Sequence, residues 1–333
     1  GRYELRWGKE RPYIKYGNWL YTPNEPKYFE SAKIIVIRFR NRALKRRLVS
    51  AYDEEGFYIR ENYNSIIAKN KNYHLKYILC LVNSSVLNFW YRRRNDQVTI
   101  NPVYFRQLPI YPADAETQAE LVEKVDSILE KNAQLNEFRE QGYIIRKQRD
   151  GNSLIEIPYD RLLAEIQQSN PTFSTLTLFD AKAVGLFTIP DRCDLQVTIS
   201  SNIYSPDRYP ASVVLRHNKL WLVVEDDNIR RYLFGYLKLP QWQRKPWDEI
   251  KNQATLPAGA NDLNAFFAAE QQRRNEIQSL LDEVAQIDAE IDEKVLDLYG
   301  ITDPGDRQRI LGSAVASEED EVNADEDTAE DRE

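Results

Sequence analysis

Two segments far apart in the chain carry the same narrow apolar seam. In the first, Leu121, Val125, Ile128, Asn132 and Leu135 step by four and three residues; in the second, roughly 262–299, Ile277, Leu280, Val284, Ile287, Ile291 and Leu298 step the same way. Residues at that spacing fall on one stripe of an α-helix, and a stripe this narrow is covered by a single partner helix. The matching seams predict two long helices paired antiparallel, the first opened by a capping-box pattern, Thr117-Gln-Ala-Glu120. What lies between them, 143–257, is then an insert at the tip of a helical pair.

The remaining patterns are shorter. Residues 1–30, with "YIKYGNWLYTPNEPKYF", are rich in Tyr, Trp and Pro and read as extended chain with turns. "KIIVIRFR" (33–40) reads as a strand with Val36, Arg38 and Arg40 on one face and Ile35, Ile37 and Phe39 on the other, so that Arg38 and Arg40 project together. Residues 42–68 read as further short strands with a turn at Asp53–Gly56, and Leu75, Ile78, Leu79, Val82, Val86, Phe89 and Trp90 place one amphipathic helix over His74–Tyr91. "NDQVTINPVYFRQLPIYP" follows as strand-like stretches broken by proline. In the insert, "LQVTIS", a hairpin "SVVLRHNKLWLVVE" turning at His217 and Asn218, and a short helix from about Asn228 give an α+β composition.

The fold class is α+β. A basic mixed α/β domain (1–112) precedes the first long helix (113–142), the α+β insert domain (143–257), and the second long helix with its following segment (258–312). An acidic tail (313–333), "SEEDEVNADEDTAEDRE" at its end, is expected to be disordered.

Charge is distributed unevenly over these parts. The whole chain has a net charge of -7, yet residues 1–110 hold 21 basic and 9 acidic side chains, residues 111–250 hold 17 and 21, and residues 251–333 hold 7 and 22. A basic first third on an acidic chain is the footprint of a surface for polyanions. No apolar run reaches the length of a membrane helix, and the first residues have no signal-peptide core, so a cytoplasmic protein without membrane contact is expected. The chain starts at Gly1 and contains no Met, which is the expectation for a piece of a longer polypeptide.

Catalytic patterns are sparse. Cys80 and Cys193, His74 and His217 have no metal-ligand spacing, and no Walker loop or Gly-x-Ser-x-Gly elbow occurs. "NPVY" (101–104) differs at its third position from the Asn-Pro-Pro-Tyr motif of amino-methyltransferases, and no glycine-rich cofactor loop accompanies it. A nuclease would need gathered carboxylates and a lysine on a metal, whereas "PD" at 190 and "EIK" at 249 are far apart. The chain therefore reads as non-catalytic, with no cofactor and no metal of its own.

What the first 110 residues do carry is a set of groups suited to nucleic acid: Arg38, Arg40, Arg42, Lys45, Arg46, Arg47, Arg92, Arg93, Arg94 and Arg106, with Asn95, Gln97, Asn101, Tyr104 and Gln107 among them. Guanidinium and ammonium groups neutralise phosphates, while Arg, Asn and Gln pair in bidentate fashion with base edges of the major groove. Arginines at the end of a helix also complement its dipole, which is the purely structural role for Arg92–Arg94.

The strings 33–70, "HLKYILCLVNSSVLNFWYRRR" (74–94) and "NPVYFRQLPIYP" (101–112), preceded by "YIKYGNWLYTP", resemble the TaqI-like C-terminal specificity domain, the target-recognition domain of type IIG restriction-modification enzymes and related adenine-specific DNA methyltransferases. "IDEKVLDLYGIT" (291–302) is similar to the way many such enzymes end, and the insert has no counterpart. The resemblance implies recognition of double-stranded DNA. It also implies an upstream methyltransferase domain in the parent polypeptide that uses S-adenosylmethionine, with Mg2+ if the parent also cleaves. A different class of function, a protein-interaction module built on the paired helices, is separated from this one by whether duplex DNA binds.

Overall fold

The computed structural model describes residues 1–5, 15–17, 19–20, 25–41, 44, 46–70, 72–147, 152–189, 212–215, 220–242 and 245–315. The chain divides into two compact units: one of residues 1–141, 145–154 and 277–333, the other of residues 142–144 and 155–276. Among the described residues no helix is long and apolar enough to cross a membrane.

The first unit opens with a short helix α1 (Lys27–Glu30) and a sheet of β1 (Lys33–Ile37), β2 (Ser50–Asp53) and β3 (Tyr63–Ile66) in the order β2-β1-β3. Both neighbours run antiparallel to β1, with Ile34 opposite Tyr52 on one side and Ile66 on the other. A central strand covered on both faces needs an unbroken apolar run, and Ile34, Ile35 and Val36 are all buried. The strand ends at Ile37, so the alternation expected through Arg40 does not continue; only an isolated bridge, Phe39 to Thr99, follows. Asp53 closes the expected turn, its carboxylate accepting from the backbone N–H groups of Glu55, Gly56 and Phe57 while it pairs with the buried Lys33. Gly56 sits at φ 82°, where a side chain would be strained.

The helix expected over 74–91 is two helices, α2 (Leu75–Asn83) and α3 (Ser85–Arg94). Ser84 divides them: at φ -66°, ψ 153° it leaves the helical region, its N–H donates back to the Leu81 carbonyl and its Oγ accepts from the Leu87 N–H. Periodicity cannot register such a break, because the apolar stripe resumes in phase, whereas a serine N-cap is its local chemical mark. Ser84→Ala is expected to lower unfolding free energy by about 1 kcal/mol in urea denaturation, the ordinary cost of a lost cap.

After α3, the stretch expected to be strand-like is irregular except for the Thr99 bridge and one turn of helix, α4 (Pro102–Phe105), which Asn101 caps by accepting from the Val103 N–H. The first long helix, α5 (Ala115–Glu140), is capped by Asp114, three residues before the expected Thr117. Strands β4 (Ile144–Lys147) and β5 (Ser153–Glu156) pair where the chain passes from one unit to the other.

In the second unit α6 (Tyr159–Ser169), β6 (Thr175–Thr177), α7 (Leu178–Ala183), β7 (Ser212–Leu215), β8 (Leu220–Val223), α8 (Asp227–Leu237), a 3-10 turn (Pro240–Trp242), α9 (Trp247–Gln253) and β9 (Thr255–Pro257) succeed one another. β7 pairs antiparallel with β8, and β6 with β9. The turn at His217 and Asn218, the segment "LQVTIS" and residues 316–333 of the expected tail lie outside the described residues, while 313–315, expected in that tail, are helical. Tyr159, Tyr232 and Phe266 pack edge-on at 4.8 and 4.9 Å, and the buried Glu270 is held by Arg231 and Arg274 at 2.7 and 2.8 Å.

Phe266 and Glu270 belong to α10 (Ala260–Leu298), which supplies the second unit up to Glu276 and the first from Ile277. Within the first unit, α10 pairs antiparallel with α5: Glu120 meets Lys294 and Lys124 meets Glu290, each at 2.6 Å, and Lys131 meets Glu283. The register is constant, each step along α5 matched by the same step back along α10. Beneath these exposed ion pairs the core joins Leu121, Val125 and Ile128 of α5, Leu79 and Val82 of α2, and Ile291, Val295 and Leu296 of α10. Gln118, buried on the α5 seam, ties α2 to it, accepting from the His74 N–H and donating to the Asn72 carbonyl, both at 2.9 Å. The last helix, α11 (Pro304–Val315), packs against α3.

Candidate functional site

The site is a mount and what it carries. The mount is α3, whose two ends are fixed by different chemistry. Ser84 and Asp292 hold the N-terminal end: the buried Asp292 carboxylate accepts from the Ser85 N–H at 2.7 Å and from the Ser85 hydroxyl. A carboxylate there satisfies an orphan helix donor and meets the positive end of the helix dipole. Arg46 supplies the countercharge, 3.5 Å from Asp292, and donates to the Asn83 carbonyl at 2.9 Å and the Ser85 hydroxyl at 3.2 Å. Along the helix, Asn88 behaves like a piece of strand backbone. Its Oδ1 accepts from the N–H groups of Arg47 and Leu48 at 2.9 and 2.7 Å, and its Nδ2 donates to the Leu48 carbonyl at 3.2 Å. Asn83 does the same for Ser50, accepting from its N–H and donating to its carbonyl, both at 2.9 Å. Buried amides with every group engaged lock the segment 46–50 onto the helices.

At the C-terminal end the chain turns away with Tyr91 fully buried. The side chains four residues apart then meet: the Arg93 guanidinium lies 5.1 Å from the Phe89 ring centroid, and that of Arg94 lies 4.7 Å from the Trp90 ring centroid. Each pair is a cation over an aromatic face, which orients the guanidinium without neutralising it. Arg92 is half-buried while Arg93, Arg94 and Arg106 are exposed, and among the described residues none of these four has an ion pair. By contrast Arg2, Lys27, Lys33 and Lys76 are each paired with a carboxylate. Arg92, Arg93, Arg94 and Arg106 are thus cations without an ion pair among the described residues, as are the exposed Lys15, Arg60 and Lys69 elsewhere in the first 110 residues.

Burial revises the list of candidate contacts. Arg40, Arg46 and Arg47 are inside the fold, and Asn95 is buried with its Nδ2 donating to the Tyr91 carbonyl. Arg40 donates from Nε to the Arg46 carbonyl, and Arg47 donates to the carbonyls of Gln97 and Val98. Burial lowers the pKa of both Arg46 and Arg47 from the usual guanidinium value, and nearby Arg2 adds to the effect at Arg46. These are positioning residues: Arg47 fixes the loop that follows α3, and the Arg38 carbonyl and Arg40 N–H pair with Ile100 and Val98 on the same loop. Arg38 is half-buried, donating to the Glu61 carbonyl at 3.2 Å and lying 5.3 Å from the Phe39 ring centroid. Arg42 and Lys45 lie outside the described residues.

The candidates that stay outside the fold are half-buried Arg38 beside the 98–100 loop, Arg92–Arg94 at the end of α3, Gln97 on the loop, and Asn101, Tyr104 and Arg106 in and around α4. Phe39 and Val98 are about half exposed, at 47% and 51%; Phe39 is bridged to Thr99, and the Val98 carbonyl accepts from the Arg40 N–H. Guanidinium groups without a carboxylate partner among the described residues can pair with anionic oxygens, and exposed aromatic rings can stack on flat groups. The sequence did not single out Asn83, Asn88, Gln118 or Asp292, although polar residues interrupting an apolar helical stripe are the signal that could have found them.

Residues 1–110, about a third of the chain, match the family model of the TaqI-like C-terminal specificity domain. No curated protein and no solved structure matches the chain.

Proposed function

We propose that residues 1–110 read the sequence of duplex DNA as the specificity part of a restriction-modification enzyme. The observation that carries this is the set of exposed arginines without ion pairs among the described residues, Arg93, Arg94 and Arg106 with half-buried Arg92, in a stretch that is similar to a specificity domain. In this reading Arg92, Arg93, Arg94 and Arg106 anchor phosphates, and Arg38, Gln97 and Asn101 face the base edges. Arg40, Arg46, Arg47 and Asn95 act from within by holding the loop. The finer assignment rests on the resemblance. It is a type IIG enzyme or N6-adenine methyltransferase in which an upstream domain of the same polypeptide binds S-adenosylmethionine, flips the adenine and methylates it. Any cleavage, with Mg2+, belongs to the parent as well.

Fluorescence anisotropy of the full chain against a labelled duplex tests the central claim. Binding is expected to weaken steeply with salt, the logarithm of the affinity falling by about 0.9 per phosphate engaged for each decade of salt. Absence of binding at low salt, or affinity that does not respond to salt, would favour the rival reading of a protein-interaction module on the paired helices α5 and α10.

A further inference from the structure

The arginines of α3 have no carboxylate partner among the described residues, yet the chain supplies a dense source of carboxylates close to them in connection. Residues 316–333, directly after α11, contain ten acidic side chains and one basic one. The helix from which they continue is firmly placed. Arg307 of α11 pairs with Glu293 at 2.8 Å and with Asp297, its Nε donates to the Ile301 carbonyl at 2.7 Å, and Ile310 is buried in the core. α11 packs directly on α3. Reach is not limiting: α3, of ten residues, is about 15 Å long at the helical rise of 1.5 Å per residue. Eighteen residues can extend across roughly 60 Å.

We propose that the acidic segment 316–333 is an intramolecular occupant of the cluster Arg92, Arg93 and Arg94, competing there with DNA phosphates. This rests on the reading that these arginines take a polyanion, and it adds a regulation of the same site. Three physical points support it. The cluster sets three guanidinium groups on consecutive residues with no ion pair among the described residues. The segment has the charge density to compensate it, since each guanidinium pairs with a carboxylate or a phosphate in the same bidentate manner. Tethering makes even a weak contact effective: a short linker holds the segment at about 1 mM, so a contact with a dissociation constant of about 0.1 mM lowers apparent affinity for DNA about tenfold. Specific duplexes, which add base contacts, displace the segment more easily than non-specific DNA does, so the segment raises selectivity as well as lowering affinity.

The test uses the full chain in three forms: the natural sequence, a variant with the ten carboxylates of 318–333 changed to their amides, and that variant combined with Arg92→Ala, Arg93→Ala and Arg94→Ala. Two readouts are taken at about 50 mM salt: affinity for a labelled duplex, and affinity for a labelled synthetic peptide with the sequence of 316–333. The amide variant is expected to bind duplex about tenfold more tightly than the natural chain, with the gain shrinking as salt rises and screening shortens. It is also expected to bind the peptide, and the triple alanine background is expected to lose both the gain and the peptide. Equal duplex affinity of the natural and amide forms, when both bind, overturns the proposal, as does peptide binding that ignores the three arginines. A gain that persists in the alanine background overturns it too, because general repulsion by net charge would then be the cause. If no form binds duplex but the peptide docks on the arginines, the proposed DNA function fails and the docking of the segment stands.

Discussion

Changing Arg92, Arg93 and Arg94 together to alanine is expected to weaken duplex binding by roughly 100-fold near 0.1 M salt and to flatten its salt dependence. The size follows from counterion release: three lost phosphate contacts remove about 2.7 from the slope of log affinity against log salt, which at 0.1 M is a factor of a few hundred, less if one arginine makes no phosphate contact. Fold integrity is a separate measurement, because Arg93 and Arg94 also cover Phe89 and Trp90. Losing the two cation–aromatic contacts is expected to cost about 0.5–1 kcal/mol each, a change visible in urea denaturation but too small to unfold the chain. The matching lysine triple separates the two kinds of contact. Lysines restore point charge and therefore the salt slope, but not planar bidentate pairing, so any discrimination between sequences that these arginines supply stays lost. Unchanged binding in the alanine triple would leave them only their role at the helix terminus, where a cation complements the dipole.

Much of the scaffold was legible because its signals are periodic. The seams at Leu121–Leu135 and Ile277–Leu298 placed both long helices, and the constant register of their ion pairs is the antiparallel arrangement those seams implied. The run of β1 and the hairpin strands β7 and β8 were legible from their apolar composition, and the turn at Asp53–Gly56 from its turn residues. The candidate site was legible only in part, because charge in a sequence does not distinguish an arginine that faces solvent from one that serves the fold. Arg40, Arg46 and Arg47 share a cluster with Arg38 on paper, yet the strand ends at Ile37 and turns them inward, where carbonyls of 46, 83, 97 and 98 take their hydrogens. Burial of a guanidinium is decided by partners far away in sequence. Arg46 needs Asn83, Ser85 and Asp292, and no local pattern around "KRRLVS" announces them. Ser84 was hidden differently, since a cap between two helices whose stripes stay in phase leaves the periodicity intact.

The distant partner also sets the largest expected loss of stability. Asp292→Ala should lower unfolding free energy by about 3–5 kcal/mol, the range for removing one member of a buried ion pair. Asp292 is 5% exposed and lies 207 residues beyond Ser85, so its contribution is a long-range one that closes α10 onto the start of α3. Its removal leaves the Ser85 N–H at the helix terminus without an acceptor and deprives the Arg46 guanidinium, already disfavoured by burial, of its paired carboxylate, with Asp288 a further, weaker source of negative charge. Asp292→Asn keeps one acceptor for Ser85 and is expected to lose less. The decisive comparison is the double variant Asp292→Ala with Arg46→Met: if the uncompensated charge is the main cost, removing it as well should restore a good part of the loss. A double variant no more stable than Asp292→Ala would instead assign the cost to the unsatisfied helix terminus. Either result bears on the site, because α3 carries Arg92–Arg94 rigidly only while its first turn is held. Asp292→Ala, measured where it is still folded, should therefore bind duplex with lower affinity but an unchanged salt slope, whereas loss of the arginines themselves lowers both.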